Sequence, residues 1–222
     1  MKTWDYYANT YQRYGIDNKH YRMLARVHYG ASNYANAFWN GKSLAFGDNG
    51  GNAFVSMDLV GHEYTHGVFE KALGVDAQHP LIYAGEVGAF NESFADIFGT
   101  AVEFYVREHQ CIPCQPDGAP YRTCQQQGGS YCLAGNYFLG EDIYNGSNAQ
   151  RDMGNPTVYH YNLLSIGTPN LHTNGGIQNK AFWLLAQNST NTNASPYNQI
   201  AVTGIGRTKA EKISIVPLQV VT

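Results

Sequence analysis

The spacing of apolar residues predicts short strands in the first part of the chain. Up to residue 57, runs in which apolar and polar residues alternate are separated by Gly and Asn, a pattern typical of strands and hairpins. The runs are 24–29, 37–39 and 44–46, and a cluster of turn residues follows at 48–51. We therefore expect this part of the chain to be β-rich, with tight turns between its strands.

The spacing becomes helical from Asp58 onward. Apolar residues then recur three and four positions apart, and Gly74 fits the end of the helix. A second helix is predicted over 88–107 and a third over 179–187, whereas 213–221 has a strand-like pattern. The chain thus combines a β-rich beginning with helices, which indicates an α+β fold.

All 4 cysteines lie in a stretch of different composition, at about 108–135, which is rich in Pro, Gly and Gln and predicts an inserted surface loop. One pair has the C-x-x-C spacing of a zinc knuckle, but the other pair lacks this spacing, so the metal signal is weak. Two local disulfides fit better, with the pairing left open, and disulfides are typical of an extracellular protein. The cysteines are Cys111, Cys114, Cys124 and Cys132.

Composition and charge narrow the classes of partner. Charged residues make up 14% of the chain, against about 25% in a typical soluble domain, which fits a polar but uncharged surface. The formal net charge is −3 and the sequence has no Lys/Arg run, so neither a nucleic acid nor an anionic membrane is expected as a partner. No apolar stretch approaches the roughly 20 residues of a membrane helix, and the N-terminus lacks the apolar core of a signal peptide. We interpret the sequence as a piece of a longer precursor.

The sharpest chemical signal is the sequence His-Glu-Tyr-Thr-His at 62–66. On a helix, His62 and His66 lie on one face one turn apart, so both imidazoles can reach one metal ion. Glu63 lies beside them, where its carboxylate can take a proton from a water molecule on the metal. The alternative is two histidines that are hydrogen-bonded within a buried helix. The motif favours a zinc site over that alternative.

A catalytic zinc ion needs a third protein ligand and an open fourth position. The second predicted helix offers that ligand, because Glu92 and Asp96 lie one turn apart on one of its faces. Glu92 would bind the metal, and Asp96 would accept a hydrogen bond from a ligand imidazole and fix its tautomer. Two exposed carboxylates are the alternative, but the strongly apolar surroundings of both residues argue against exposure.

These residues lie in a series of motifs that resembles the thermolysin family of zinc metallopeptidases. The resemblance covers most of the chain, and the motifs occur in the family's order. It implies a zincin-like α+β fold, with a partial β-rich lobe at 1–57, a partial and mainly helical lobe at 58–222, the zinc helix at the floor of the cleft between them, and a chain cut at both ends. The motifs are N-A-F-W-N-G at 36–41, the segments 58–70 and 81–105, R-D-M-G-N-P at 151–156 and L-H-T-N-G-G-I-Q-N-K at 171–180.

The resemblance also implies a role for each matching residue. His62, His66 and Glu92 would bind Zn²⁺, which would polarise the scissile carbonyl and activate water. Glu63 would be the general base. The other implied roles are oxyanion binding for Tyr83 and His172, support of the histidines for Asp96 and Asn91, peptide-backbone binding for Arg151, Asn36 and Ala37, and the pocket after the scissile bond for Phe54, Leu59 and Leu139.

Three positions depart from the family's pattern. The family usually has an acidic residue five positions before the late histidine, His172, and Gly167 stands there instead, without a carboxylate to orient the ring. Calcium is the second possible cofactor, but two positions that are usually acidic read Asn136 and Phe138, so at most one weaker site is expected. The candidate calcium ligands are Asp58, Glu103, Asn136 and Glu141.

The combined expectation is a zinc-dependent endopeptidase that hydrolyses peptide bonds with metal-activated water and favours bulky apolar residues after the scissile bond. Its expected partners are protein or peptide substrates, without nucleic acid or membrane, and we expect a secreted, extracellular monomer. Two alternatives stay open. One is a catalytically weak or inactive homologue that keeps zinc and binds peptides, which Gly167 motivates. The other is a zinc hydrolase on the same scaffold that does not cleave peptides.

Overall fold

A computed structural model describes residues 2–76, 78–116, 118–157, 170–188, 190–192 and 201–219 of the chain. The helices are α1 (Lys2–Tyr11), α2 (Met57–Ala72), α3 (Gly85–His109), α4 (Leu171–Asn174), α5 (Gly176–Ala186) and α6 (Arg207–Gln219), with a 3-10 turn at Glu141–Tyr144. The strands are β1 (Ala25–Arg26), β2 (Ala37–Trp39), β3 (Leu44–Phe46), β4 (Asp48–Asn49), β5 (Asn52–Ala53), β6 (Cys124–Gln127), β7 (Ser130–Leu133), β8 (Phe138–Leu139), β9 (Arg151–Asp152), β10 (Thr190–Thr192) and β11 (Ala201–Thr203).

Helices α2 and α3 form the centre of the fold, and two glycines let them approach closely. A Cβ added to Gly99 of α3 would lie 2.5 Å from the carbonyl oxygen of Asp58. A Cβ added to Gly61 of α2 would lie 2.9 Å from the Cα of Gly99. Because real Cβ atoms do not approach other atoms this closely, the crossing requires glycine on both helices.

Both central helices were expected from the apolar spacing, with ends that differ by a few residues. The chain leaves α2 just before Gly74, whose φ of +68° lies in the left-handed region that favours glycine. Helix α3 begins at Gly85 and ends at His109, so it is longer at both ends than the predicted 88–107. The third predicted helix is α5, which begins at Gly176 and is preceded by the short helix α4.

Helix α1 was not expected from the sequence, which predicted short strands and hairpins in this part of the chain. Its buried residues Thr3, Tyr6 and Tyr7 stand at helical positions i, i+3 and i+4. The ring of Tyr7 stacks on Tyr64 of α2 with centroids 5.5 Å apart, and its hydroxyl lies 2.7 Å from Oγ1 of Thr65. Aromatic residues are frequent in strands, but here packing against α2 overrides that preference.

The short strands expected before α2 are present. Strand β3 is the middle of a three-stranded sheet, in which β1 pairs with it in parallel and β2 pairs with it antiparallel. Strand β2 is therefore at an edge of this sheet, and Nε1 of Trp39 at its end donates a hydrogen bond to Glu70 of α2 at 2.7 Å. The predicted turn at 48–51 joins β4 to β5 as a hairpin.

The cysteine-rich segment contains two disulfides, in agreement with the prediction from its spacing. The expectation of a loop was incomplete, because β6 and β7 form an antiparallel hairpin within the segment. The ring of Tyr121 packs edge-on against Phe138 with centroids 4.9 Å apart, so the insertion contacts the chain that follows it. The bonded pairs are Cys111–Cys132 and Cys114–Cys124.

Helix α6 occupies the part of the strand-like stretch 213–221 that the structure describes, so the prediction of a strand there was wrong; residues 220 and 221 lie outside the described residues. Ala210, Glu211 and Ile215 of this helix are buried, and the hydroxyl of Tyr6 donates a hydrogen bond to Glu211 at 3.1 Å. The β-branched residues of this segment favour strands in isolation, but packing against α5 and α3 outweighs that preference. The fold is α+β, as the sequence predicts, and its zinc-motif helix is central. Among the described residues, no helix combines the length and apolar character that a bilayer crossing requires.

Candidate functional site

The two histidines of the His-Glu-x-x-His motif lie on one face of α2, opposite Glu92 of α3. Their Nε2 atoms are 3.0 Å apart, and the carboxylate oxygens of Glu92 lie 3.4 Å from Nε2 of His62 and 3.7 Å from Nε2 of His66. Donor atoms at about 2.0–2.1 Å from one tetrahedral zinc ion are separated by about 3.3 Å, so the observed spacings fit zinc. The three residues that the sequence singled out as ligands therefore converge on one point.

Each histidine has a polar partner on α3. Nδ1 of His62 lies 2.8 Å from Oδ1 of Asp96, and Nδ1 of His66 lies 2.9 Å from Oδ1 of Asn91. A contact at Nδ1 fixes the ring and leaves Nε2 for a metal ion. Asp96 and Asn91 thus stand in the positions that the sequence suggested for them.

The charges around His62 perturb each other's ionisation. Burial disfavours the charged imidazole, but the contacts with Asp96 and Glu92 outweigh it and raise the pKa of His62 to about 10. Burial also disfavours the Asp96 carboxylate, but Arg151 and His62 hold the pKa of Asp96 below its usual range. A metal ion must displace the proton of His62, so metal affinity is expected to rise with pH.

Arg151 forms a bidentate ion pair with Asp96, which the sequence did not indicate. Its Nε and Nη2 donate to the two carboxylate oxygens at 2.8 and 2.7 Å. Asn179 of α5 donates to Oδ2 of the same carboxylate at 2.8 Å. Asn179 belongs to the motif at 171–180, but nothing in the sequence links it to Asp96. Arg151 also lines the cleft beside Glu63, so one arginine connects the support of the metal ligands to the cleft.

Glu63 lies between the zinc ligands and the edge strand β2. Its Oε2 accepts a hydrogen bond from the backbone N of Trp39 at 2.9 Å, and the side chain is almost fully buried. Asn36 is exposed at the start of this strand, and Ala37 follows it along the cleft. The edge strand and the glutamate therefore face the same cavity.

A cavity of about 470 Å³ adjoins the zinc ligands. A second cavity of about 550 Å³ shares part of its lining and includes Tyr83, which is 47% exposed and whose ring lies 6.4 Å from that of His66. Nε2 of His172 lies 3.1 Å from Oε2 of Glu92. The first cavity gathers most of the residues expected at the substrate, namely Asn36, Ala37, Phe54, Leu59, Arg151 and His172.

One expected pocket residue lies elsewhere. Leu139 is 0% exposed and belongs to β8, so it lies behind the surface and does not wall the pocket itself. Gln150, beside Arg151 in the sequence, lines the cavity together with Phe54. Leu139 pairs with Arg151 across β8 and β9, a contact that sequence spacing does not reveal. Gly167 lies outside the described residues.

Three carboxylates form a second cluster beyond the zinc ligands. Ligand oxygens of Glu103, Glu141 and Asp142 lie within 4.8 Å of one another. Asp142 was not among the expected calcium ligands, although it directly follows one of them. Burial and the neighbouring Asp58 raise the pKa of Glu141 to about 8, and burial with the neighbouring Glu141 raises the pKa of Glu103 above its usual value.

The expectation that Asn136 binds calcium is not supported by its contacts. Its Nδ2 donates a hydrogen bond to Oε1 of Glu141 at 2.9 Å, and its Oδ1 accepts one from the backbone N of Phe138 at 2.7 Å. Asn136 therefore acts as a hydrogen-bond donor to the cluster, and its side-chain oxygen already accepts one hydrogen bond. The carboxylates are the charged ligands that a cation site here would offer.

Family comparisons agree on one assignment for both parts of the chain. One family model, "Thermolysin metallopeptidase, catalytic domain", matches residues 1–70. A second family model, "Thermolysin metallopeptidase, alpha-helical domain", matches residues 80–220. A bacillolysin of Bacillus cereus is 38% identical over 222 residues, which is 94% of this chain and 32% of the relative. A thermolysin of Alicyclobacillus acidocaldarius subsp. acidocaldarius is 37% identical over 224 residues, which is 95% of this chain and 34% of the relative.

A solved structure is similar as well. The precursor of protealysin, a metalloproteinase from Serratia proteamaculans, superposes with a TM-score of 0.57 and 30% sequence identity. The superposition covers 83% of this chain and 56% of that chain. The chain spans about a third of the length of the curated relatives it matches.

The Asp96→Asn substitution tests how the zinc ligands are held. It should lower zinc affinity about 10–100-fold, because the neutral amide oxygen is a weaker acceptor for the Nδ1–H of His62 than a carboxylate and does not balance the charge of Arg151. Competition with a chromophoric chelator measures the affinity. The matched control is Asp48→Asn, since Asp48 makes a comparable 2.7 Å contact with the exposed His28 and should leave zinc affinity unchanged. Equal affinity in Asp96→Asn and the unmodified chain would contradict this role.

Proposed function

The chain belongs to the thermolysin metallopeptidase family, and from this membership we propose that it carries the active site of a zinc-dependent endopeptidase. The observation that supports the proposal most directly is the convergence of His62, His66 and Glu92 beside a cavity that Glu63 and Arg151 line. Two imidazoles and one carboxylate are the ligand set of a catalytic zinc ion, with a fourth position left for water or substrate. When bound, zinc supplies a Lewis acid for the scissile carbonyl and for the attacking water.

We assign the proton transfers to Glu63. The hydrogen bond from the backbone N of Trp39 holds Oε2, which orients the carboxylate toward the cleft. Oε1 then accepts a proton from the attacking water and passes it to the leaving amine, as a positioned general base and acid. The position of Glu63 next to His62 on α2 puts this group within reach of the metal ligands.

Charge that develops on the substrate oxygen needs hydrogen-bond donors. We assign Tyr83 and His172, which both line the second cavity, Tyr83 near His66 and His172 near Glu92. A donor aimed at an oxyanion contributes about 2.7–4 kcal/mol to transition-state stabilisation. Arg151 is assigned to the carbonyl that follows the scissile bond. Its Nη1 is the guanidinium nitrogen that the pair with Asp96 does not use.

The substrate is proposed to be an extended peptide. Strand β2 is an edge strand, and its Asn36 and Ala37 lie along the cleft. An unpaired strand edge can take up an extended peptide through backbone hydrogen bonds. Protein segments without regular structure therefore match this surface.

The side chain that follows the scissile bond is proposed to enter the cavity next to Arg151. Phe54 and Leu59 provide apolar surface there, which supports a preference for bulky apolar residues. Gln150 provides a polar rim in the same cavity. The preference should therefore be graded, with large apolar residues favoured and smaller ones still accepted.

We further propose that the enzyme acts outside the cell as a monomer. The support for the extracellular location is the pair of disulfides, since disulfides form and persist in oxidising compartments. A peptide-binding homologue with little turnover is the second candidate, and it is favoured by Gly167, which offers no carboxylate to orient His172. Peptide hydrolysis and zinc content, measured on the same protein sample, distinguish the enzyme from the peptide-binding homologue.

The Glu63→Gln substitution tests the proposed activity. The zinc-loaded chain should cleave casein or an internally quenched peptide, and Glu63→Gln should lower the rate by about 100–10,000-fold because the amide cannot accept the proton. Zinc content per chain should stay the same in both proteins. Glu86→Gln, an exposed substitution on α3, is the control and should leave the rate unchanged. Zinc binding without cleavage by the unmodified chain would favour the peptide-binding candidate, and undiminished cleavage by Glu63→Gln would contradict the assignment.

The Phe54→Ala substitution tests the pocket. The ratio of kcat/KM for a peptide with Leu after the scissile bond to that for a peptide with Ala should fall about 10-fold, since roughly 1–3 kcal/mol of apolar contact is lost. Leu139→Ala is the control: it removes a buried side chain behind the surface, so it should lower the melting temperature and leave the ratio unchanged. A ratio that responds to Leu139→Ala and not to Phe54→Ala would contradict the proposed pocket.

A further inference from the structure

A buried arginine lies within the acidic cluster of Glu103, Glu141 and Asp142. Arg107 of α3 is 4% exposed, and its Nε lies 3.3 Å from Oε1 of Glu103. Its Nη2 donates a hydrogen bond to Oδ2 of Asp142 in the 3-10 turn. Burying a guanidinium is costly unless carboxylates surround it, so this arginine and the cluster depend on each other.

The remaining carboxylate oxygens in and beside the cluster fall into two groups: those that accept a hydrogen bond from the described residues and those that do not. Asp58, which lies beside the cluster, accepts hydrogen bonds from the backbone N of Leu59, the hydroxyl of Ser56 and the backbone N of Gly140, so both of its carboxylate oxygens have a donor. Oε1 of Glu141 accepts a hydrogen bond from Asn136.

Two buried carboxylate oxygens of the cluster lack a hydrogen-bond donor among the described residues. Oε2 of Glu103 and Oε2 of Glu141 accept no hydrogen bond from the part of the chain that the structure describes. Arg107 thus contacts Oε1 of Glu103 and Oδ2 of Asp142, whereas Oε2 of Glu103 and Oε2 of Glu141 are buried carboxylate oxygens without a donor in the described ranges. We call these two oxygens the open side of the cluster.

We infer that Arg107 is a built-in cation of this cluster, which takes the place of a metal ion between Glu103 and Asp142 and leaves a single divalent position at Oε2 of Glu103 and Oε2 of Glu141. The guanidinium joins α3 to the 3-10 turn, as a bridging metal ion would. It is permanently charged and covalently attached, so it does not dissociate when the calcium concentration falls. The inference concerns metal dependence and does not rest on peptidase activity.

Two consequences distinguish this arrangement from a cluster filled by metal alone. The chain should stay folded without calcium, because one cation is always present. The fixed positive charge should also weaken divalent binding at the neighbouring position, because like charges a few ångströms apart repel strongly in a poorly solvated site. Removal of Arg107 should therefore lower stability without calcium and tighten calcium binding at the same time.

The test compares the zinc-loaded chain with its Arg107→Gln variant in calcium-free buffer and in millimolar calcium. The unmodified chain should be folded in both buffers, with little change in melting temperature. In calcium-free buffer, Arg107→Gln should have a melting temperature well below that of the unmodified chain. In millimolar calcium, most of this difference in melting temperature should disappear. Terbium luminescence should show at least about tenfold tighter binding to Arg107→Gln, because the repelling charge is gone.

Two control variants separate the role of charge from general destabilisation. Arg107→Lys keeps the positive charge and should retain the weak calcium response. Arg207→Gln removes a different arginine, which pairs with Glu211 and Glu108, and should lower the melting temperature equally with and without calcium. A calcium response in Arg107→Gln no larger than that of the unmodified chain would overturn the inference.

A second measurement applies even where Arg107→Gln does not fold. The number of terbium ions bound by the unmodified chain is compared with the number bound by Glu141→Gln, in which one carboxylate of the open side is neutral. The inference predicts a difference of one ion, since Arg107 occupies the other side. A difference of two ions would show that the cluster binds two metals beside the arginine, and no difference would show that the open side binds none. Either result overturns the inference.

Discussion

The close contact between α2 and α3 is the constraint on which both charged clusters depend. Gly61 and Gly99 bring the two backbones together, and the helices run antiparallel through this crossing. Successive residues of α2 therefore face successive residues of α3 in reverse order. His62 and His66 meet Glu92, Asp96 and Asn91 on one side of the crossing, and Asp58 lies near Glu103 on the other side. Without the small residues at the crossing, neither set of side chains could meet.

Both clusters bury charge within an apolar helix pair, and each compensates for that charge in its own way. At the zinc ligands, Asp96 is shared by His62 and Arg151, so the same carboxylate orients a metal ligand and fixes an arginine on the cleft. In the acidic cluster, Arg107 and a few backbone and side-chain donors offset part of the charge. A buried charge destabilises the fold when its partner is removed. The metal ligands, the supporting arginines and the helix pair therefore depend on one another for stability.

The sequence predicted what local spacing determines. His62, Glu63 and His66 share a helical face by their spacing alone, Glu92 and Asp96 follow the same rule, and the family resemblance joined the two helices. Contacts between distant segments were not predictable. Arg151 reaches Asp96 and Arg107 reaches Asp142 across long stretches of chain, and helices α1 and α6 form because they pack on their neighbours, against the strand-like appearance of their sequences. Leu139 was misassigned for the same reason, and the lobe boundary at residue 57 stays a prediction.

The coordination of zinc by two histidines and one glutamate is the central claim, and X-ray absorption at the zinc edge tests it most directly. With one equivalent of zinc, the spectrum should show only nitrogen and oxygen neighbours at about 2.0–2.2 Å, with outer scattering from two imidazole rings. One ring should disappear in His66→Ala. Sulfur neighbours at about 2.3 Å would contradict the claim, because they would place the metal at the cysteines of the insertion, which the structure pairs as disulfides.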